Sequence, residues 1–236
     1  MYDLKDAAII IFEMKSSKSN YLFDVFNFSS SYRQRLVETF RHTANIEHGG
    51  YSIFDGTYSH ILQIPEELVD FIIMLKRHEK NGRKLQKFLE IGFGNGITNT
   101  ILNKFFYFDD NVVVDNFSTM TSNDALVANL RHKNLIIICG DSTSKRCINM
   151  VSKFKPFDLI FIDGNHTSPY IEKDFENYSQ LLNDGGIIAL HDIVSSEWPD
   201  VRKAWKHIKQ NKKWTSNEII CRNYKIQFGI GVLRKK

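Results

Sequence analysis

The chain is short of several things that would have narrowed its class at once. Across 236 residues it has only three cysteines, Cys139, Cys147 and Cys221, none of them in a C-x-x-C pair. That excludes a zinc ribbon and a disulfide framework and suits a reducing cytoplasm. There are only four prolines and no low-complexity tract or internal repeat, so neither a linker-rich nor a repeat architecture is indicated. Long apolar runs are missing too. The stretch Ala7 to Phe12 is too short for a membrane span or a signal core, and acids flank it. What is left is one domain of ordinary to large size, long enough to bury a proper core.

Acidic residues are almost absent from one end. The net charge is +4, yet residues 201 to 236 carry Glu218 as their only acid among many lysines and arginines. Within this stretch, "VRKAWKHIK" reads as an amphipathic helix, with Val201, Ala204, Trp205 and Ile208 on one side and cations elsewhere. A solvated face is the ordinary explanation. A surface that attracts phosphate is the functional one.

From residue 85 onward, short apolar runs alternate with helical periodicity, which signals a mostly parallel sheet covered by helices. The runs are Lys87–Ile91, Val112–Asp115, Leu135–Cys139, Phe157–Ile162 and Gly186–Leu190, and two more strands are expected over Trp214–Ile220 and Tyr224–Leu233. A helix is expected from Pro169 to Leu182, capped by Ser168. Residues 1–84 read as an extension with helices over Arg33–Thr43 and Pro65–Glu79, covering a site rather than folding apart from residues 85–236. Its His48, His60, Tyr51, Phe54 and Tyr58 could line an acceptor pocket.

Chemistry concentrates at the strand ends. "FLEIGFGNGI" places Gly92, Gly94 and Gly96 in alternation, a loop that lets a ligand lie against the backbone but lacks the G-x-G-x-x-G spacing of dinucleotide sites. Glu90 ends the first strand of this region. Asp115 ends the second, where a carboxylate can accept both ribose hydroxyls, and Asp141 follows the third, placed to accept from an adenine amino group. Acids at successive strand ends point to the crevice where open α/β sheets bind ligands.

These motifs, with "FDLIFIDGNH" and "LLNDGGIIALHD", resemble the class I S-adenosylmethionine-dependent methyltransferases from residue 85 to the end. The resemblance implies an α/β, Rossmann-like fold: a seven-stranded, mostly parallel sheet with its last strand antiparallel and helices on both faces. It implies S-adenosylmethionine as cofactor. Glu90, Gly92, Phe93, Gly94 and Gly96 would border its methionine and ribose portions, Asp115 with Asn116 would hold the ribose, and Asp141 with Ser142 would bracket the adenine.

"IDGNH" departs from the proline-containing tetrapeptide of amide and base methyltransferases. It is similar instead to the metal-dependent O-methyltransferases of small molecules and sugars. By that likeness Asp163, which also borders the cofactor, would hold a divalent ion, Mg2+ or Mn2+, together with His191 and Asp192. Asp163, His166 and His191 would form the catalytic set, with His166 as general base. The plainer readings are a turn at Asp163, a polar loop residue at His166 and a helix cap at Asp192.

The expected activity is O-methylation of a small hydroxylated acceptor, a sugar or a nucleotide- or polysaccharide-linked sugar, with no membrane span; a homo-oligomer is compatible with the sequence. The competing readings are an RNA methyltransferase using the basic C-terminal region and a non-catalytic cofactor-binding partner subunit. No interleaved aromatic motif makes nucleic acid the leading partner.

Overall fold

In the computed structural model, residues 26–41, 62–94, 96–118 and 135–235 are described, and residues 8–12 by their backbone alone. The strands are β1 (Ala8–Phe12), β2 (Lys87–Ile91), β3 (Asp110–Asp115), β4 (Leu135–Cys139), β5 (Phe157–Ile162), β6 (Leu182–Leu190), β7 (Trp214–Ile219) and β8 (Ile230–Lys235). They form a single sheet in the order β1-β4-β3-β2-β5-β6-β8-β7. The pairs β2·β3, β3·β4, β2·β5 and β5·β6 are parallel, and β8 runs antiparallel between β6 and β7. The expected seven-stranded sheet with an antiparallel last strand is therefore present, with β1 added antiparallel on the β4 edge.

Among the described residues the helices are α1 (Ser30–Arg41), α2 (Pro65–Lys80), α3 (Ile97–Phe105), α4 (Lys145–Val151), α5 (Tyr170–Ser179) and α6 (Pro199–Ile208). The central strands are apolar on both faces, as buried parallel strands must be. Period-two alternation then divides the core. Leu89, Ile91, Ile160, Ile162 and Ile188 face α4, α5 and α6. Phe88, Leu159, Phe161 and Ile187 face α1, α2 and α3. The α1–α2 pair thus packs on the sheet and shares its core.

Three local expectations change. The last strand begins at Ile230, not Tyr224. Glu67 of α2 is fully buried and takes the backbone N–H groups of Cys221 and Gly229 at 2.8 and 2.9 Å, so those donors are satisfied by a side chain rather than by a ladder. Ser168 does not cap α5, because its backbone N–H donates to Asp200 Oδ2 at 2.8 Å and Pro169 occupies the cap position. Helix α5 ends at Ser179, and the "LNDGG" turn is drawn into β6.

Candidate functional site

The strand order reverses at β2, with β3 and β4 on one side and β5 and β6 on the other. Chain ends diverge at such a point and leave a crevice above the carboxyl ends of the strands. A cavity of about 480 Å³ opens there. Its walls include Glu90, Gly92, Phe93 and Gly94 from the first loop, and Asp115, Asn116, Asp141 and Ser142 from the next two. Asp163, His166, His191 and Asp192 close the other end. Residues scattered over about a hundred positions therefore share one cavity.

Sheet register explains the convergence. Ile91 pairs with Ile162, and Ile162 with Leu190, so the residues that follow leave neighbouring strands at one level. The ladder continues for one step: Asp163 N–H donates to Ile91 O at 2.8 Å and His191 N–H to Ile162 O at 3.0 Å. Asp163 and His191 are thereby set side by side.

The glycine loop is held by its own acid. Asp115 Oδ2 accepts from the N–H groups of Phe93 and Gly94 at 2.7 and 3.0 Å, and Oδ1 accepts from Phe117 at 2.6 Å. Gly92 has φ +88°, and a Cβ there would lie 2.7 Å from Gly164 Cα and inside the Asp163 carbonyl, so only glycine fits. Gly94 has φ +52° and open space, with Leu62 Cδ1 at 3.8 Å. Gly96, expected at the cavity wall, is instead the cap of α3 beneath the Phe93 ring and does not line the cavity. Asp141 Oδ1 closes a turn onto the Thr143 N–H and hydroxyl, both at 2.8 Å.

Glu90 is almost wholly buried and accepts from Asn99 Nδ2 at 2.7 Å, while Asn99 exchanges hydrogen bonds with Asn111. Burial pushes its pKa well above the carboxylate range against the Asn99 bond, and Asp163 and Asp115 add to the rise.

At the opposite end, two imidazoles and two carboxylates form a closed ring. His166 Nε2 lies 3.3 Å from Asp163 Oδ1 and 2.9 Å from Asp192 Oδ2. His191 Nδ1 lies 3.3 and 3.2 Å from the same two oxygens. Burial opposes charge on His166, yet the two carboxylates outweigh it and raise its pKa to about 9. At His191 burial is again the largest single effect and lowers the pKa, but the two carboxylates together carry it well above its usual range. Burial pushes the carboxyl groups up, but the imidazoles hold Asp163 and Asp192 below the ordinary range. The expectation of a near-neutral His166 is thus replaced by an imidazolium at pH 7 in the absence of a competing ion. Asp192 adopts φ +62° and lies well before α6 begins, so it does not cap that helix. His166 stacks on Trp198 with ring centroids 4.7 Å apart.

Asp163, His191 and Asp192 offer ligand atoms within 4.8 Å of one another, the cluster of this kind among the described residues. The donors fit a small divalent ion, because His191 Nδ1 lies 3.3 and 3.2 Å from the two carboxylate oxygens, which matches donors about 2.1 Å from a common centre. Asp192 Oδ1 and His191 Nε2 are buried without a partner.

Gln63, just before α2, was not singled out from the sequence. It is buried, donates from Nε2 to Asp163 Oδ2 at 3.0 Å, and leaves Oε1 without a partner. An isolated glutamine ahead of a helix carries no sequence signal; sheet packing alone brings it here. His48, Tyr51, Phe54, Tyr58 and His60 lie outside the described residues.

Residues 89–193 match the family model described as a methyltransferase domain. A comparison with curated proteins finds no match. Among solved structures, a putative caffeoyl-CoA O-methyltransferase from Staphylococcus aureus is 17% identical, with a TM-score of 0.60 over 88% of this chain and 100% of that one. An O-methyltransferase from Bacillus cereus, solved with S-adenosylhomocysteine, is 14% identical, with a TM-score of 0.59 over 92% and 96%. The O-methyltransferase TomG from Streptomyces achromogenes, involved in tomaymycin synthesis and solved with S-adenosylmethionine, is 17% identical, with a TM-score of 0.57 over 84% and 90%. The chain shares the Rossmann-like fold of these methyltransferases, and residues 89–193 match a methyltransferase-domain model.

Proposed function

We propose that this chain transfers a methyl group from S-adenosylmethionine to a hydroxyl of a small acceptor, a sugar or a nucleotide-linked sugar, with a divalent ion at Asp163, His191 and Asp192. The observation that carries the reading is the Asp–His ring at one end of the cavity with the glycine loop and Asp115 at the other. The cofactor supplies an electrophilic methyl on sulfur. A bound cation supplies a lower pKa for the acceptor hydroxyl.

The chain's own residues do the rest. Gly94 leaves room for a ligand against the backbone, Gly92 lets that loop pack on the Asp163–Gly164 backbone, and Asp115 keeps the loop in shape. Leu62 and Gln63 bring the segment ahead of α2 to the cavity, which supports residues 1–84 as a cover for the site. His166, about a quarter exposed and fixed by Trp198, is the imidazole placed to take the acceptor's proton once deprotonated. Alignment of two reactants in one cavity contributes the remaining advantage. Exposed Arg202, Lys203 and Lys206 follow Trp198 on α6 and suit an acceptor bearing phosphate. Among the described residues no helix could cross a membrane, and three free thiols fit the cytoplasm.

The deciding experiment is calorimetric titration with S-adenosylhomocysteine, then turnover against a panel of sugars with and without EDTA. Saturable binding and chelator-sensitive methylation are expected. No binding would remove the methyltransferase reading, and full turnover in chelator would remove the ion.

A further inference from the structure

Asp174 is a buried acid that the chemistry above does not use. It lies in α5, wholly shielded from solvent, and neither carboxylate oxygen has a hydrogen-bond partner. Its place is behind one end of the cavity: Oδ2 would stand 3.7 Å from a Cβ placed on Gly164, and Gly164 and Ser142 both line the cavity wall. One helical turn on, the Tyr178 hydroxyl donates to the Ser142 carbonyl at 2.7 Å. Helix α5 thus grips the backbone of the turn after β4 while Asp174 faces its side chain. Ser142 acts on the carboxylate there without reaching hydrogen-bond geometry. An unpartnered buried acid costs about 1–3 kcal/mol, and such a group calls for a reason.

A serine hydroxyl has one hydrogen to give. Facing a carboxylate, Ser142 gives it to Asp174 and can only accept from the cavity. Facing a protonated acid, Ser142 accepts from Asp174 and turns its own hydrogen toward the cavity. A purine edge needs both kinds of partner, an acceptor for its amino group and a donor for its ring nitrogen. Asp141, an acceptor when ionised, suits the first, and a Ser142 hydroxyl free to donate suits the second.

Resting on the S-adenosylmethionine reading above, we propose that Asp174 is a positioning residue for the cofactor's purine: it donates to the Ser142 hydroxyl and so makes that hydroxyl the donor to an adenine ring nitrogen. Burial supports the assignment. It raises the Asp174 pKa to about 7 against the pull of Ser142, with Asp141 adding to the rise. Tyr178, on the same helix, also feels Asp174, and beyond it Cys147 on α4 acts on Tyr178 and lies beside the Arg146 cation. Burial holds the Tyr178 phenol and the Cys147 thiol above their usual ranges, so neither changes charge near neutrality.

The test is calorimetric titration of the full chain with S-adenosylhomocysteine between pH 6 and 8.5. Wild-type affinity falls about thirtyfold across that range, because the complex needs a proton on Asp174 that the free protein loses above pH 7. Asp174→Asn, whose amide still donates, keeps the tighter affinity and removes the slope. Asp174→Leu binds more weakly at every pH; where it does not fold, Asp174→Asn decides alone. A flat wild-type profile overturns the proposal, and so does a slope that persists unchanged in Asp174→Asn. Binding without the slope removes only the role of Asp174, whereas no heat at any pH from folded protein removes the S-adenosylmethionine reading beneath it.

Discussion

Replacing Gly92 by alanine tests the geometry of the site without any ligand. Gly92 has φ +88°, and an alanine held there costs about 1–3 kcal/mol in backbone strain. Its Cβ would also stand 2.5 Å from the Asp163 carbonyl carbon and 2.7 Å from Gly164 Cα. Those neighbours are backbone, and Asp163 is tied to Ile91 by a 2.8 Å ladder bond, so relief requires β2 and β5 to part at their carboxyl ends. Overpacking of this kind adds about 1–3 kcal/mol, for a loss of about 2–6 kcal/mol in all. Gly94→Ala is the internal control. It has φ +52° and its nearest neighbour is a flexible leucine methyl at 3.8 Å, so strain of about 1 kcal/mol remains. Urea unfolding followed by tryptophan fluorescence compares the two, and midpoints about 1 M apart are expected for an m-value of about 2–3 kcal/mol/M. Equal midpoints would show that Gly92 does not sit against the Asp163–Gly164 backbone, and the register argument for the site would fail with it.

Four further outcomes follow from the same geometry. Gly94→Arg keeps a near-wild-type unfolding midpoint but shows no calorimetric binding of S-adenosylhomocysteine, since its side chain has room only in the cavity. Titration with Mn2+ at pH 7 in buffers of different ionisation heat detects proton release, because imidazoliums must deprotonate to ligate; binding without proton release would refute the ring's charge state. In metal-free protein, His166 contributes stability that is full below about pH 6.5 and lost as pH rises through about 9. His166→Gln therefore narrows its deficit between pH 6 and 10, and an unchanged deficit refutes the shift. Asp174 has the opposite sense: its pKa of about 7 exceeds the unfolded value of 3.8, so stability falls as pH rises between them. Asp174→Asn flattens that fall and gains on the order of 2–4 kcal/mol at pH 7.5 by chemical denaturation; no gain would show the acid is not buried as described.

Much of the sheet was legible because parallel strands buried on both faces read as unbroken apolar runs, and Lys87–Ile91, Leu135–Cys139 and Phe157–Ile162 stand at those bounds. The last strand starts later than expected because the Tyr224 stretch alternates like a strand in sequence, while the N–H groups of Cys221 and Gly229 on either side of it are held by Glu67 from far away in the chain. Gly96 stands away from the cavity wall for a similar reason. Alternating glycines announce a loop, but not which of them faces a ligand and which lies under Phe93.

By itself the sequence determined the strand–helix alternation, the glycine loop, and the acids and histidines that end the strands, since these depend on local periodicity and turn chemistry. Only the tertiary structure decided that two aspartates and two histidines close into one ring, that Gln63 joins them, and that Asp174 lies buried without a partner. Those facts depend on register between strands and on which helix covers which face. Pairwise contacts over long separations leave no local trace in a single chain.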